Sequence, residues 1–189
     1  MDTFLVKLSQ LMFSNIGNIT EKTLRMTSSY EKSICRQLGM ELETNKSSLR
    51  YRDCFVVING KQHGIELKKA KDGMHFDCIR YAEMVKANIV HENEVTMILF
   101  YNDKYKVVEI NLIKTSDIIF KLFENTPFNI LNFYVEQHKT DKNSTTFLRK
   151  LSKKELKKMS KYTINSAGIT IDGAQFPIEQ QHEEKKLHN

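Results

Sequence analysis

The sequence predicts a mixed α/β domain with a central sheet flanked by helices. Helical and strand patterns alternate along the 189 residues, in the order helix, strands, helix, strands. Asn59-Gly60 separates two apolar runs, which is the strongest short signal for a hairpin. A hydrophobic content of 40% provides enough apolar surface for a core and excludes a chain that is disordered throughout.

Two helices are predicted before the first strand. Apolar residues at near-helical spacing indicate the first helix over residues 1–13. The second is predicted over residues 28–38, with Tyr30 and Ile34 on its apolar face. Gly39 follows directly and is a typical residue at a helix end.

The strands of the predicted hairpin cover residues 51–58 and 61–68. A two-residue turn at Asn59-Gly60 pairs Ile58 with Lys61 and so determines the register of the whole hairpin. Side chains alternate between the two faces of a strand, so one face is predicted to be buried. That apolar face consists of Cys54, Val56, Ile58, Ile65 and Leu67.

The opposite face of the hairpin carries charged residues. The register places Asp53 opposite Glu66, with Lys68 on the same face. Directly opposed like charges destabilise a sheet, so this pair needs a shared proton, a nearby lysine or a divalent cation. A solvent-facing polar stripe, with Lys68 paired to one carboxylate, is the simpler alternative. Oxygen ligands with few protein carboxylates are typical of Mg²⁺ sites.

The remaining elements follow in chain order from capping and turn signals. They are a helix from Asp77 to about Val90, strands at 95–101 and 105–113, a short helix from Thr115 or Ser116 that ends before Pro127, and a strand at 128–135. A hairpin is predicted within residues 162–177, and residues 178–189 form a polar tail.

The net charge of +6 is concentrated in residues 141–161, which hold eight Lys or Arg against two Asp or Glu. Ser152 with Glu155 three residues later predicts a capping box and a basic helix. One-signed, localised charge favours contact with a phosphate backbone, although a solvated helix face has the same composition. The lysines predicted to bind nucleic acid here are Lys150, Lys153, Lys154, Lys157 and Lys158.

The segment that follows the hairpin is also basic. Lys69, Lys71 and His75 lie in a predicted loop that would approach a DNA groove, or would act simply as a connector. The following helix carries Arg80 and Tyr81, for which solvent exposure is the preferred interpretation. His63 is on the face opposite Glu66 and is therefore predicted to be structural.

Asp53, followed after twelve residues by Glu66-Leu67-Lys68, resembles the D-x(n)-E-x-K signature of the PD-(D/E)xK nucleases. This group includes many restriction endonucleases and some phage resolvases. The predicted order of a helix, a hairpin that carries the motif, a helix and further strands also resembles its core. The likeness covers residues 28–112, and Arg52 stands where the family often has proline.

The resemblance implies a role for each residue of the motif. Asp53 and Glu66 would be metal ligands together with the Leu67 carbonyl, and Lys68 would be the catalytic lysine. The implied cofactor is Mg²⁺, for which Mn²⁺ would substitute. Glu31 matches a glutamate that many members carry on the preceding helix, although Ser28 and Glu31 also have the spacing of a capping box.

The expected function is a Mg²⁺-dependent endonuclease acting on double-stranded DNA, most specifically a type II restriction endonuclease. The alternatives are a structure-selective phage nuclease or junction resolvase, and a non-catalytic nucleic-acid-binding module. Cutting both strands would favour a homodimer. We expect a single nuclease domain over residues 1–189, with its catalytic core at about 28–125 and a basic helix and hairpin at about 141–177.

The expected compartment is the cytoplasm. Cys35, Cys54 and Cys78 are odd in number and lack metal-site spacing, so they are predicted to be reduced and buried. No apolar run approaches the length of a membrane span, and the N-terminus lacks the pattern of a secretory signal, so no membrane partner is expected.

Overall fold

The computed structural model describes residues 3–44, 52–86, 94–124 and 148–176. Within these ranges the α-helices are α1 (Thr3–Asn15), α2 (Glu21–Arg25), α3 (Tyr30–Gln37), α4 (Cys78–Lys86), α5 (Thr115–Phe123) and α6 (Lys153–Met159), and a short 3₁₀-helix covers Ile16–Asn18. The strands are β1 (Glu41–Leu42), β2 (Cys54–Ile58), β3 (Lys61–Ala70), β4 (Gly73–Asp77), β5 (Glu94–Tyr101), β6 (Val107–Lys114), β7 (Leu148–Ser152), β8 (Tyr162–Asn165), β9 (Gly168–Ile171) and β10 (Ala174–Gln175).

The described strands form a mixed eight-stranded sheet in the order β1-β2-β3-β5-β6-β8-β9-β10. All neighbouring pairs are antiparallel except β3 and β5, which run parallel. A parallel pair requires a crossover, and here that crossover contains β4 and α4. The mixed α/β class is therefore confirmed, with helices on both faces of the sheet.

The hairpin has the predicted turn and register. Asn59 and Gly60 have φ values of 54° and 73°, as a two-residue type I′ turn requires. Ile58 pairs with Lys61, and the ladder continues in that register to Cys54 and Ile65. The predicted apolar face lies against the core, where Cys54, Val56, Ile65 and Leu67 are buried.

Helix α3 ends where the sequence predicts. Gly39 has a φ of 75°, and its N–H donates to the Arg36 carbonyl at 3.1 Å. The next N–H, of Met40, donates to the Cys35 carbonyl at 2.9 Å, which completes a glycine-terminated helix end. The start of α3 does not have the capping box that was the alternative role for Glu31. Ser29 precedes the helix without a side-chain cap, so the predicted Ser28–Glu31 capping box is wrong.

Two other predicted helix starts are confirmed. The Asp77 carboxylate accepts the N–H groups of Ile79 and Arg80 at 3.0 and 3.3 Å, and α4 begins at the next residue. Ser152 and Glu155 form the predicted reciprocal capping box at the start of α6. The predicted helix end near Val90, the strand at 128–135 and the polar tail lie outside the described residues.

The core is divided by the sheet into two clusters. On one face α1, α2 and α3 pack against the sheet and form a cluster that includes Leu8, Leu38, Ile65 and Met97, all with no exposed surface. On the other face α4, α5 and α6 cover a second cluster, which includes Phe76, Tyr81, Ile98, Phe100, Ile118 and Leu156. Cys35, Cys54 and Cys78 are free and buried, as predicted.

One prediction about loops is wrong. The segment after the hairpin, predicted as a loop, is mostly strand, because β3 extends to Ala70 and Gly73–Asp77 pairs with Leu148–Ser152 in a separate ribbon. This error concerns a strand whose partner is distant in sequence, where local patterns carry little information. The predicted C-terminal hairpin is confirmed, because β8 pairs with β9, and β8 also pairs with β6, so that the hairpin extends the main sheet.

Within the described ranges, the helices lack the length and apolar character needed to cross a membrane.

Candidate active site

Two of the motif residues, Glu66 and Lys68, lie on one face of β3. Strand alternation directs Glu66 and Lys68 toward α4, while Leu67 between them points into the opposite core cluster with no exposed surface. Glu66 is 3% exposed, which is unusual for a carboxylate and requires cationic or hydrogen-bonding partners. The structure therefore brings together two of the predicted catalytic residues in a buried setting.

Glu66 is held between two cations. The Lys68 ammonium forms an ion pair with Oε1, and Nη2 of Arg80 lies 2.5 Å from Oε2. The Lys68 and Arg80 side chains are 19% and 24% exposed, so this cluster is largely shielded from water. The preference for a solvated Arg80 is wrong. Because Arg80 is the third residue of a helix capped by Asp77, its direction depends on how α4 crosses the sheet.

Asp53 lies just beyond the hairpin ladder and departs slightly from the predicted opposition to Glu66. Its N–H donates to the Ile65 carbonyl at 2.8 Å. Its carboxylate oxygen Oδ2 accepts the Leu67 N–H at 2.7 Å. The aspartate thus closes the end of the hairpin with its side chain, and this bond directs its carboxylate toward β3. Leu67 contributes a backbone donor here, while ligation by its carbonyl stays a prediction.

Burial and the neighbouring Glu66 carboxylate raise the pKa of Asp53 to about 6. The Leu67 N–H and the Lys68 ammonium act in the opposite direction, and Glu31 adds a further increase. Burial and a neighbouring like charge both disfavour the ionised form of a carboxyl group, and burial is the larger cause here. Such perturbed groups are concentrated at functional sites, although structural ion pairs perturb pKa values as well.

The raised pKa of Asp53 predicts a specific pH dependence of stability. The folded protein holds this proton more tightly than the unfolded chain, whose ordinary pKa is 3.8. The contribution therefore favours folding below about pH 4 and is lost as the pH rises to about 6. We expect the free energy of unfolding of the wild type, minus that of Asp53→Asn, to decrease between these values. Urea denaturation at a series of pH values measures this difference in the free energy of unfolding. A difference that stays constant between about pH 4 and pH 6 would contradict the raised pKa of Asp53.

Glu31 lies at the edge of the same cluster. It occupies the first turn of α3 and is partly buried. Burial raises the pKa of the Tyr30 hydroxyl most strongly, and Glu31, Asp53 and Glu66 raise it further. The start of α3 therefore lies within electrostatic range of the hairpin carboxylates, and the role of Glu31 stays a prediction.

Arg52, which stands where the resemblance often has proline, forms a second ionic group. Its guanidinium lies 3.6 Å from the Glu43 carboxylate and 3.4 Å from the Glu94 carboxylate. Both glutamates are buried, at 9% and 6% exposure. These contacts link the segment after β1 to the start of β5, so Arg52 has a structural explanation.

The three residues predicted to approach DNA after the hairpin are not equivalent. The Lys69 ammonium lies 2.5 Å from the carbonyl oxygens of Leu24 and Met26, so it anchors the end of α2. Burial lowers the pKa of Lys69. Lys71 is exposed and pairs with Asp103, while His75 is exposed on β4 opposite Lys150 of β7.

The predicted basic helix presents two kinds of lysine. Lys153 lies 4.5 Å from the centre of the Phe100 ring, and Lys157 pairs with Glu109 at 2.7 Å, so both cover the sheet. Among the exposed lysines of this region, we call Lys150, Lys154 and Lys158 the basic edge. His63 is buried and stacks on Phe4 with ring centres 3.6 Å apart, which confirms its structural role.

The carboxylate oxygens of Asp53 and Glu66 are ligands of the kind that suit a hard cation such as Mg²⁺, which keeps most of its bound water. In the described ranges, no group of three or more His, Cys, Asp or Glu side chains is arranged to hold a metal ion. Asp53 and Glu66 are two carboxylates in one electrostatically coupled cluster, and Mg²⁺ is commonly bound through one or two carboxylates plus substrate phosphates. A cation that binds Glu66 must compete with Lys68 or Arg80 for its oxygens.

No family model, curated protein or solved structure matches this chain.

Proposed function

We propose that the chain is a metal-dependent nuclease that hydrolyses phosphodiester bonds in DNA. The observation that carries the proposal is the convergence of Asp53, Glu66 and Lys68. Two carboxylates, one of them with a raised pKa, share a buried cluster with an ammonium group. The restriction-endonuclease-like core belongs to this proposal. It is supported by the order α3, β1, the β2–β3 hairpin, α4 and the following strands.

Asp53 and Glu66 would hold a Mg²⁺ ion. When bound, such an ion lowers the pKa of its water and neutralises charge that develops on a phosphoryl group. Lys68 emerges from the same strand face and would place its ammonium beside the scissile phosphate, where it stabilises developing negative charge. Arg80 contacts Glu66 rather than a reacting atom, so it is a positioning residue that orients this carboxylate.

The burial of the cluster supports the assignment energetically. A charged group acts more strongly where water is largely excluded, because the local dielectric constant is low. Glu66 is 3% exposed, and α4 shields it from one side. Asp53 is oriented by a backbone hydrogen bond before any substrate arrives, which reduces the reorganisation needed for catalysis.

Plasmid nicking tests the proposal directly. We expect the purified protein to convert supercoiled DNA to nicked or linear forms in Mg²⁺ or Mn²⁺, and to stop when a chelator is added. The preparation of an Asp53→Asn/Glu66→Gln variant by the same route controls for a contaminating nuclease. Failure to cut any DNA substrate across a series of divalent metals would overturn the nuclease assignment.

A non-catalytic nucleic-acid-binding module is the second candidate. Both Glu66 oxygens are already neutralised by Lys68 and Arg80, as in a structural ion-pair cluster. The basic edge would then provide the function through contacts with phosphates. This candidate predicts binding to DNA without cleavage, so the nicking experiment separates the two.

Both candidates predict a salt-dependent contribution from the basic edge. Each lysine contact with a duplex phosphate contributes about 0.9 to the slope of log K against log salt concentration. We expect the Lys154→Ala/Lys158→Ala variant to weaken duplex binding and reduce that slope by about 1.8. Lys61→Ala, at the far end of the hairpin, should leave the slope unchanged. An unaltered slope in the double variant would exclude the basic edge from the interface.

The restriction and resolvase interpretations differ in the substrate. A restriction enzyme cuts paired DNA at a defined site, and a two-fold symmetric dimer suits such a site. A structure-selective enzyme requires a departure from the regular duplex. The carboxylate cluster is the same in both interpretations, so surfaces outside it must determine which DNA structure is bound.

A further inference from the structure

Three tyrosines form a connected series beside the candidate active site. Tyr30 begins α3, Tyr101 ends β5, and Tyr105 lies in the turn between β5 and β6. The Tyr101 and Tyr105 ring centres are 5.7 Å apart, with 21° between the ring planes. The Lys69 ammonium lies 4.5 Å from the centre of the Tyr30 ring and 5.7 Å from that of Tyr101, so it bridges the two.

Cations accompany these rings along the whole series. The Arg25 guanidinium carbon lies 4.1 Å from the centre of the Tyr105 ring. The Lys71 ammonium lies 5.5 Å from the same ring centre and 6.0 Å from that of Tyr101. Arg25 pairs with Glu21 and Lys71 pairs with Asp103, and the Arg25 and Lys71 side chains are still 56% and 42% exposed to solvent. We call the tyrosines Tyr30, Tyr101 and Tyr105, with Arg25, Lys69 and Lys71, the tyrosine track.

The turn that carries Tyr105 holds it in a specific conformation. Tyr105 has a φ of 52°, a left-handed conformation that is unfavourable for a bulky residue. Its N–H donates to the Asn102 carbonyl at 2.9 Å, and the Asn102 side chain accepts the N–H groups of Lys104 and Lys106. Backbone strain of this kind is often retained at ligand-binding positions, where it directs a side chain.

A cavity of about 350 Å³ adjoins Tyr105. Its volume lies in the range of sites that bind small organic ligands. Its wall combines apolar side chains with polar and charged ones, and includes Ile16, Ile19, Val107, Ser166, Glu21 and Lys106. A partly apolar wall with an aromatic ring and a few hydrogen-bonding groups is suited to a planar, partly polar ligand such as a nucleobase.

The other end of the track lies within electrostatic range of the carboxylates. Tyr30 is followed directly by Glu31, and both Asp53 and Glu66 act electrostatically on the Tyr30 hydroxyl. The three tyrosines pack against the first core cluster, so the track approaches the proposed hydrolytic cluster from the sheet face opposite Glu66 and Lys68.

We propose that the tyrosine track binds single-stranded nucleic acid, with an unpaired base in the cavity beside Tyr105 and phosphates near Lys71 and Arg25. This inference rests on the proposed nuclease function and names its substrate class as DNA that contains unpaired bases. Aromatic rings interspersed with cations are the typical surface for single strands, because each base offers a ring face for stacking. Paired bases are already stacked on each other within a duplex, so their faces are not available to the tyrosine rings. A duplex should therefore bind the track more weakly than a single strand does.

Binding measured in a chelator tests the inference without cleavage. Fluorescence anisotropy would compare a labelled oligo-dT single strand with a labelled duplex of equal length. We expect the wild type to bind the single strand at least about tenfold more tightly. Tyr105→Leu should weaken single-strand binding about tenfold and change duplex binding less than twofold, because only the single strand uses the ring.

Two variants make this comparison specific. Tyr105→Phe keeps the ring and the strained position and should bind the single strand like the wild type. Phe120→Leu removes an aromatic ring that is 75% exposed on α5, outside the track, and should also have no effect. Circular dichroism and the Tm would verify that each variant folds.

The outcomes separate this inference from the proposed function. Equal affinity for single strand and duplex, or an unaffected Tyr105→Leu variant, would overturn the tyrosine-track assignment even if the protein nicks plasmid in Mg²⁺. Single-strand binding that depends on the Tyr105 ring would support the track even if the protein cuts nothing, and the nuclease assignment alone would then fail.

Discussion

Replacing Lys68 with alanine is expected to reduce the DNA cleavage rate by about 10²–10³-fold while leaving DNA affinity within a few-fold of the wild type. The ammonium is 19% exposed and points toward the proposed reaction centre, where it would stabilise charge that develops in the transition state. Loss of such an interaction lowers the rate of the chemical step more than it lowers binding. Single-turnover cleavage with saturating enzyme would isolate that step.

The control for this variant is Lys61→Ala. Lys61 lies on the same strand as Lys68 and carries the same charge, but it is exposed at the turn end of the hairpin. Its removal should leave the single-turnover rate unchanged. A folded Lys68→Ala protein that cuts at the wild-type rate would remove Lys68 from the reaction and restrict it to an ion-pairing role.

Replacing Glu66 with glutamine is expected to destabilise the fold by about 3 kcal/mol, because two partly buried cations lose their shared counterion. The change also relieves repulsion between Glu66 and Asp53, which acts in the opposite direction. Two close ion pairs are lost against one like-charge contact, so we expect the loss to dominate. For a protein of this size the Tm should fall by roughly 6–12 °C.

A second measurement identifies the cause of that loss. Glu66 is one of the groups that raise the pKa of Asp53, so the pKa of Asp53 should fall toward its ordinary value in Glu66→Gln. Titration of the Asp53 carboxyl resonance by NMR would follow it. Glu124→Gln, which removes the charge of a surface carboxylate paired with Lys121 and Arg149, is the matched control and should leave the Tm near the wild-type value. An unchanged Tm in Glu66→Gln would show that the buried cluster contributes little to stability.

The parts of the fold predicted correctly are those governed by local chemistry. The Asn59-Gly60 turn requires positive φ at both residues, and this requirement alone determines the hairpin register. The helix starts at Asp77 and Ser152 and the helix end at Gly39 depend on groups within a few residues of each other. Such interactions are encoded in consecutive residues and can be inferred from spacing.

The sequence predicts only part of the candidate site, because only some of its residues are related by local chemistry. Asp53, Glu66 and Lys68 belong to one hairpin, so strand alternation and register were sufficient to place them together. Arg80 enters the cluster from α4, and its contact with Glu66 depends on how that helix packs over the sheet. No local pattern distinguishes this arginine from a solvated one on the same helix.

The sequence by itself determined the mixed α/β class, the hairpin register and the pairing of two carboxylates with a lysine on one strand face. Only the tertiary structure decided that β4 joins β7, that Arg80 neutralises Glu66, and that three tyrosines from separate elements form a track. Turns, caps and alternation act over a few residues and are visible in a linear pattern. Long-range pairing and packing join segments whose separate patterns contain no information about their partner.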